Sequence, residues 1–148
     1  MTGPARLLAA ADPTALDQAV DLLARGEVVA IPTETVYGLA GASTRPDAIA
    51  RIYATKGRPS HNPLISHVSG IAMAERYVRF DDRSRALAEA FWPGPLTLVL
   101  PLLPGSGIDP ASTAGGATAA IRAPRGFAHQ LIARLDLPLA VPSANRSG

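Results

Sequence analysis

The sequence predicts an α/β domain built on a mixed sheet. Short apolar runs of strand length alternate with segments of helical period. Gly- and Pro-rich breaks separate nearly every neighbouring pair. The 148 residues suffice for one domain with a real core, and 47% are apolar against 18% charged. Residues 1–148 are read as a single domain, with no internal repeat and no linker.

Each element has its own signal. Asp12-Pro13 opens the first helix, an N-cap residue followed by proline in the first turn. Leu16, Val20 and Leu23 recur at helical spacing, and Gly26 ends the helix. Glu27–Ile31 is a short buried strand that runs into Pro32–Gly41, a segment with no clean period. Thr44 with Asp47 three residues on approximates a capping box. Ile49, Ile52 and Tyr53 give this second helix its apolar face as far as Lys56-Gly57. Pro63–Val68 reads as a strand, Ile71–Tyr77 as a short helix, and Arg83–Phe91 as a longer one with Leu87, Ala88 and Phe91 on one side. Trp92-Pro93-Gly94-Pro95 breaks that helix. Leu96–Leu100 is a strand, and Pro101–Gly116 is a loop whose length marks it as functional or mobile. Thr118–Arg122 is a strand, Phe127–Leu135 a helix, and Leu139–Val141 a strand entering Pro142-Ser143-Ala144-Asn145.

Composition excludes several classes. Without cysteine there is no disulfide framework and no thiolate metal site. No stretch reaches the roughly 18 apolar residues of a membrane span, and no basic n-region precedes a long apolar run. A cytoplasmic protein with no membrane partner is expected. The net charge of +2 permits nucleic-acid contact without arguing for it, because the arginines are scattered. The P-loop, the Rossmann glycine fingerprint, the G-x-S-x-G elbow and metal-ligand spacing such as H-E-x-x-H are all absent.

Polar residues recur at strand ends: Thr33 and Thr35, His67, Thr97, Thr118 and Arg122, Ser143 and Asn145. Ligands of open α/β sheets bind where strand ends meet loops, so several segments would supply one site. Lys56 is the single lysine beside thirteen arginines, in Lys56-Gly57-Arg58-Pro59-Ser60-His61-Asn62-Pro63. A compact ammonium and a rigid guanidinium two positions apart suit a phosphate-bearing substrate. Lys56 also reads as a surface charge at a helix C-terminus. In the first polar segment Thr35 and Tyr37 supply hydroxyls and Glu34 a carboxylate, or all three serve an ordinary turn. His67 is either a satisfied core histidine or a site residue. Arg122 either snorkels to solvent or clamps a carboxylate. Ser143 and Asn145 either end a strand in a simple turn or face a ligand.

Five ordered motifs carry a resemblance to one family. They are PTETVYGL, KGRPSHNPL with a strand ending His-Val, FWPGPLT, a strand ending Arg-x-Pro, and PSANRSG. Together they resemble the Sua5/YrdC/YwlC family over the chain from about Leu16 to Gly148. The resemblance implies a YrdC-like twisted mixed sheet with flanking helices around a concave basic cavity. It implies an L-threonylcarbamoyladenylate synthase, which condenses L-threonine, bicarbonate or CO2, and ATP and releases pyrophosphate. The product serves t6A37 modification of tRNA through a transferase machinery. Lys56 and Arg58 would be the catalytic cations. Together with Asn62, Thr118, Ser143 and Asn145 they would bind ATP, with Mg2+ on the triphosphate. Thr35, Tyr37, His67, Arg122 and Ser143 would bind L-threonine. No residue is assigned to a metal.

Three features depart from the family pattern. The chain reads as lacking the family's C-terminal portion, which is expected to leave the Leu139–Val141 edge open. Ser66 stands where an apolar residue is usual, and Ala114-Gly115-Gly116-Ala117 is unusually small-residue-rich. Two alternatives remain: a carbamoyl-adenylate-forming domain like that of hydrogenase maturation factors, and a tRNA or double-stranded RNA binding module without catalysis.

Overall fold

Buried strand residues with no helical period gather into one seven-stranded sheet in the order β1-β2-β3-β7-β4-β6-β5. The computed structural model describes residues 6–7, 14–33, 37–59 and 61–144. The strands are β1 (Arg6–Leu7), β2 (Val29–Pro32), β3 (Tyr37–Ala42), β4 (Ile65–His67), β5 (Thr97–Pro101), β6 (Thr118–Arg122) and β7 (Leu139–Ala140). The pairs β1–β2 and β4–β6 are parallel and the rest antiparallel, which is the mixed sheet expected from the sequence. The helices are α1 (Ala15–Ala24), α2 (Pro46–Lys56), α3 (Ile71–Ala74), α4 (Asp82–Phe91) and α5 (Gly126–Leu135). None of the described helices is long and apolar enough to cross a membrane.

Strand β3 is the element the periodicity hides. Five of its six residues are buried, so neither face carries a polar alternation. Its glycines are steric requirements. A Cβ on Gly41 would lie 2.9 Å from Ile52 Cδ1 on α2, and one on Gly38 2.5 Å from Val141 Cγ1. Helix α2 can therefore press closely on β3, and Val28, Leu39, Ile49, Ile52, Leu64 and Ala140 form a small core there. The main core joins α1 and α5 to the strands through Ala19, Leu23, Ile31, Leu131, Ile132 and Leu139.

Several boundaries differ from expectation. Thr44 caps nothing: Arg45 is the N-cap of α2, Pro46 follows in its first turn, and the Asp47 carboxylate pairs with Arg45 at 2.9 Å. The capping box lies instead on α4, where Asp81 Oδ1 accepts from Ser84 N at 2.8 Å and Ser84 Oγ accepts from Asp81 N at 2.9 Å. The inner side of α4 carries Ser84 and Ala88, while Phe91 is 58% exposed. Asp12 and Pro13 lie outside the described residues. The Pro101–Gly116 segment is ordered in part: a 3-10 helix spans Pro110–Thr113, and Ile108, Ser112 and Thr113 are buried. Ala114 and Gly115 then take positive φ of 54° and 75°, so the small residues before Thr118 form a left-handed turn.

The expected open edge is absent, and one departure from the family pattern finds a physical reason. β7 is not an edge: it hydrogen-bonds β3 on one side and β4 on the other, so no open edge exists at Leu139. Ser66 is buried, and its hydroxyl lies 2.9 Å from that of Ser43, also buried, so a hydroxyl pair replaces an apolar contact.

Candidate functional site

One face of the sheet stays partly open over β4, β5 and β6. Along β6 exposure alternates: Thr118, Ala120 and Arg122 face outward, while Ala119 and Ile121 are buried. Strand β5 matches it, with Thr97 opposite Arg122, Val99 opposite Ala120 and Pro101 opposite Thr118. Ile65 and His67 of β4 pair with Ala120 and Arg122. Thr118 and Arg122 therefore sit on one face, four residues apart, or roughly 13 Å at about 3.3 Å per residue.

At the Arg122 end the face opens into a cavity with two adjoining lobes that share Thr33, His67, Arg122 and Val141. One lobe continues to Tyr37, Gly38 and Ser143, the other to Pro95, Pro124, Arg125 and Ala128. Each holds about 180 Å³, below the roughly 300–1,000 Å³ of a drug-sized site and suited to an amino acid.

His67 is buried, and its Nδ1 donates to the Leu139 carbonyl at 3.3 Å. That bond leaves Nε2 as the acceptor of the ring. Burial, seconded by the Arg122 charge, lowers the imidazole pKa from 6.5 to about 4, so the ring is neutral at pH 7. Arg122 is half-buried, and its Nε donates to Thr97 Oγ1 at 2.9 Å. Tyr37 is 46% exposed at the rim.

Ser143 is held by its backbone. It bridges Gly38 of β3, and the flanking bonds Leu39 N to Pro142 O (2.8 Å) and Ala144 N to Tyr37 O (2.9 Å) lock the segment to that strand. Lys56 closes the arrangement from below. Its ammonium donates to the Ser143 carbonyl at 2.8 Å, and the residue is 1% exposed. The surface-charge reading of Lys56 is thus wrong. Burial, and then the neighbouring Arg58 charge, lower its pKa.

The loop after α2 is stiffened mainly by hydrogen bonds. Arg58 donates from Nε to Asn62 O (3.2 Å) and from Nη2 to Pro63 O (2.8 Å), and Tyr53 Oη donates to Asn62 O at 2.6 Å. Arg58 and Asn62 thereby sit at the start of β4, while His67 ends it. The candidates divide between the two ends of the open face: Thr118 and the Arg58–Asn62 loop at one, His67, Arg122 and Tyr37 at the other. Thr35 and Asn145 lie outside the described residues. Thr33, which lines both lobes, Thr97 and Arg125 are residues of this region that the motif reading did not assign. Arg125 follows the Arg-x-Pro strand end directly, a signal available in the sequence.

Among the described residues no three His, Asp or Glu side chains gather to hold a metal.

A mixed sheet with flanking helices and a small cavity where its strand ends meet is the architecture of the YrdC-like fold. The family described as "Telomere recombination", Sua5/YciO/YrdC, matches residues 21–148, and the chain belongs to it. A threonylcarbamoyl-AMP synthase of Bacillus subtilis (strain 168) is 48% identical over 133 residues, covering 88% of this chain and 38% of that protein. The crystal structure of Pyrococcus abyssi Sua5 complexed with L-threonine superposes with a TM-score of 0.88 at 37% identity, covering 99% of this chain and 43% of that one. The T. kodakarensis HypF structure matches with a TM-score of 0.76 at 19% identity, covering 93% of this chain and 18% of that one, a likeness of fold alone. The chain spans less than half the length of the first two proteins.

Proposed function

We propose that this chain makes L-threonylcarbamoyladenylate from L-threonine, bicarbonate or CO2, and ATP, releasing pyrophosphate for t6A modification of tRNA. One observation carries the reading: a single sheet face bears an arginine-lined, amino-acid-sized cavity at the Arg122 end of β6 and Thr118 roughly 13 Å away at the other end, with Arg58 and Asn62 at the start of the neighbouring β4. That separation suits a nucleotide lying along the face with its phosphates toward the cavity. The family membership and the L-threonine bound by P. abyssi Sua5 support it.

In this reading Arg122 takes the amino-acid carboxylate, and Nε2 of His67 accepts from the substrate hydroxyl or amine. The amine adds to CO2 and loses a proton, giving a carbamate. A carbamate oxygen then attacks the α-phosphorus of ATP, and the bond to pyrophosphate breaks. Negative charge accumulates in both steps, so the chain's contribution is fixed cations and donors and the alignment of reactants. By the family motifs Arg58, Asn62, Thr118 and Asn145 are assigned to the nucleotide and Ser143 to both ligands. Lys56 secures the Ser143 segment. Mg2+ would enter on the triphosphate, which is how this ion commonly reaches nucleotide sites.

Pyrophosphate release tests the proposal. It is expected only when L-threonine, bicarbonate and ATP are all supplied. Release that ignores L-threonine would refute it.

A further inference from the structure

We propose that Thr97 is a positioning residue that fixes how Arg122 grips the amino-acid carboxylate. The inference rests on the proposed function above. Thr97 faces Arg122 directly in the β5–β6 register, and its Oγ1 accepts from Arg122 Nε at 2.9 Å. Among the described residues this is the one hydrogen bond of the Arg122 side chain.

The consequence is geometric. A guanidinium can meet a carboxylate side-on, through Nε and one Nη, or end-on, through both Nη groups. Thr97 occupies Nε, so only the end-on mode remains. Arg122 lines both lobes of the cavity, and the end-on fork is the part left to face it.

The backbone around Thr97 is well anchored. Gly94 N donates to Ala123 O at 2.8 Å, clasping the Trp92–Pro95 turn onto the chain just beyond Arg122. Trp92 Nε1 donates to Leu96 O at 2.9 Å, fixing the residue before Thr97. Leu98, next along, is buried. A threonine on a strand fixed on both flanks can orient a long, otherwise flexible side chain, whereas one on a loose segment could not.

The test compares Thr97→Val, which keeps shape but loses the acceptor, with Thr97→Ser, which keeps the acceptor. Calorimetric L-threonine affinity should fall about 10-fold or more in Thr97→Val, the weight of a hydrogen bond to a charged group. Thr97→Ser should restore most of it, and KM for ATP should hold in both. In an Arg122→Lys background, where no Nε exists, Thr97→Val should add no further loss. The wild-type protein supplies a readout that needs no variant to fold. The Arg122 Nε–H proton should be resolved and slow to exchange by NMR. Rapid exchange of that proton overturns the proposal, as do unchanged affinity in Thr97→Val or an additive loss beside Arg122→Lys. A wild-type chain that does not bind L-threonine overturns both this assignment and the functional reading. Binding without any Thr97 effect overturns this assignment alone.

Discussion

His67 shows how one position changes the chemistry of a residue type. On an apolar strand it is both core and site: its ring is buried, yet it lines the cavity. Its folded pKa of about 4 lies below the unfolded value of about 6.5. The unfolded chain therefore binds the extra proton between those values, and stability rises with pH across that window. The contribution is fully present above about pH 6.5 and is lost as pH falls toward about 4. Its size is on the order of 3 kcal/mol. Urea midpoints from pH 7 to pH 4 should fall more steeply for the wild type than for His67→Gln, and parallel curves would refute a buried neutral imidazole. The sequence offered both readings of His67 and could not decide, because burial depends on Leu139 and Arg122, far along the chain. Thr97 was harder still. Its partner lies 25 residues away and is found only through strand register.

Lys56 is where two elements are joined. It ends α2, and its ammonium reaches the carbonyl of Ser143 beyond β7, 87 residues later. A lone lysine in a Gly- and Pro-rich turn signals something unusual, and nothing local to it shows the backbone carbonyl that its ammonium reaches. Lys56→Met keeps most of the stem's volume and leaves that carbonyl without this donor. Stability should drop by about 1–3 kcal/mol, the cost of losing a buried partner. L-threonine affinity should also weaken, because the Ser143 segment loosens. Chemical denaturation and calorimetry on the same variant check both, and an unchanged unfolding midpoint would count against the tie. Elements with a clean period, such as α1, α5 and β6, could be read directly from the sequence. β3 could not, because burial on both faces and two glycines erase the alternation that announces a strand. β7 was recognised as a strand but placed at an edge, since nothing local to Leu139 shows that β3 and β4 flank it.

At the scale of the whole molecule, the selectivity expected of the proposed reaction follows from how the sheet assembles one small cavity out of distant segments. Thr33 and Tyr37 come from the β2–β3 region, His67 from β4, Arg122 from β6 and Ser143 from beyond β7. Several of these are polar atoms that a hydroxyl-bearing amino acid would satisfy: an Nε2 acceptor, a phenol and a serine. A ligand without the hydroxyl leaves the buried Nε2 acceptor of His67 without that partner. A ligand lacking only the methyl loses about 1–3 kcal/mol of apolar contact, or roughly 10-fold or more. The second penalty is the smaller, because sites built to bond a hydroxyl reject its absence far more strongly than apolar walls reject a missing methyl. L-threonine should therefore exceed L-serine in kcat/KM by roughly 10-fold or more. L-valine, nearly isosteric with threonine, should fall well below serine. Pyrophosphate release with each amino acid under matched ATP and bicarbonate gives the order directly. Turnover of valine equal to threonine would mean that the polar lining of the cavity faces some other part of the substrate.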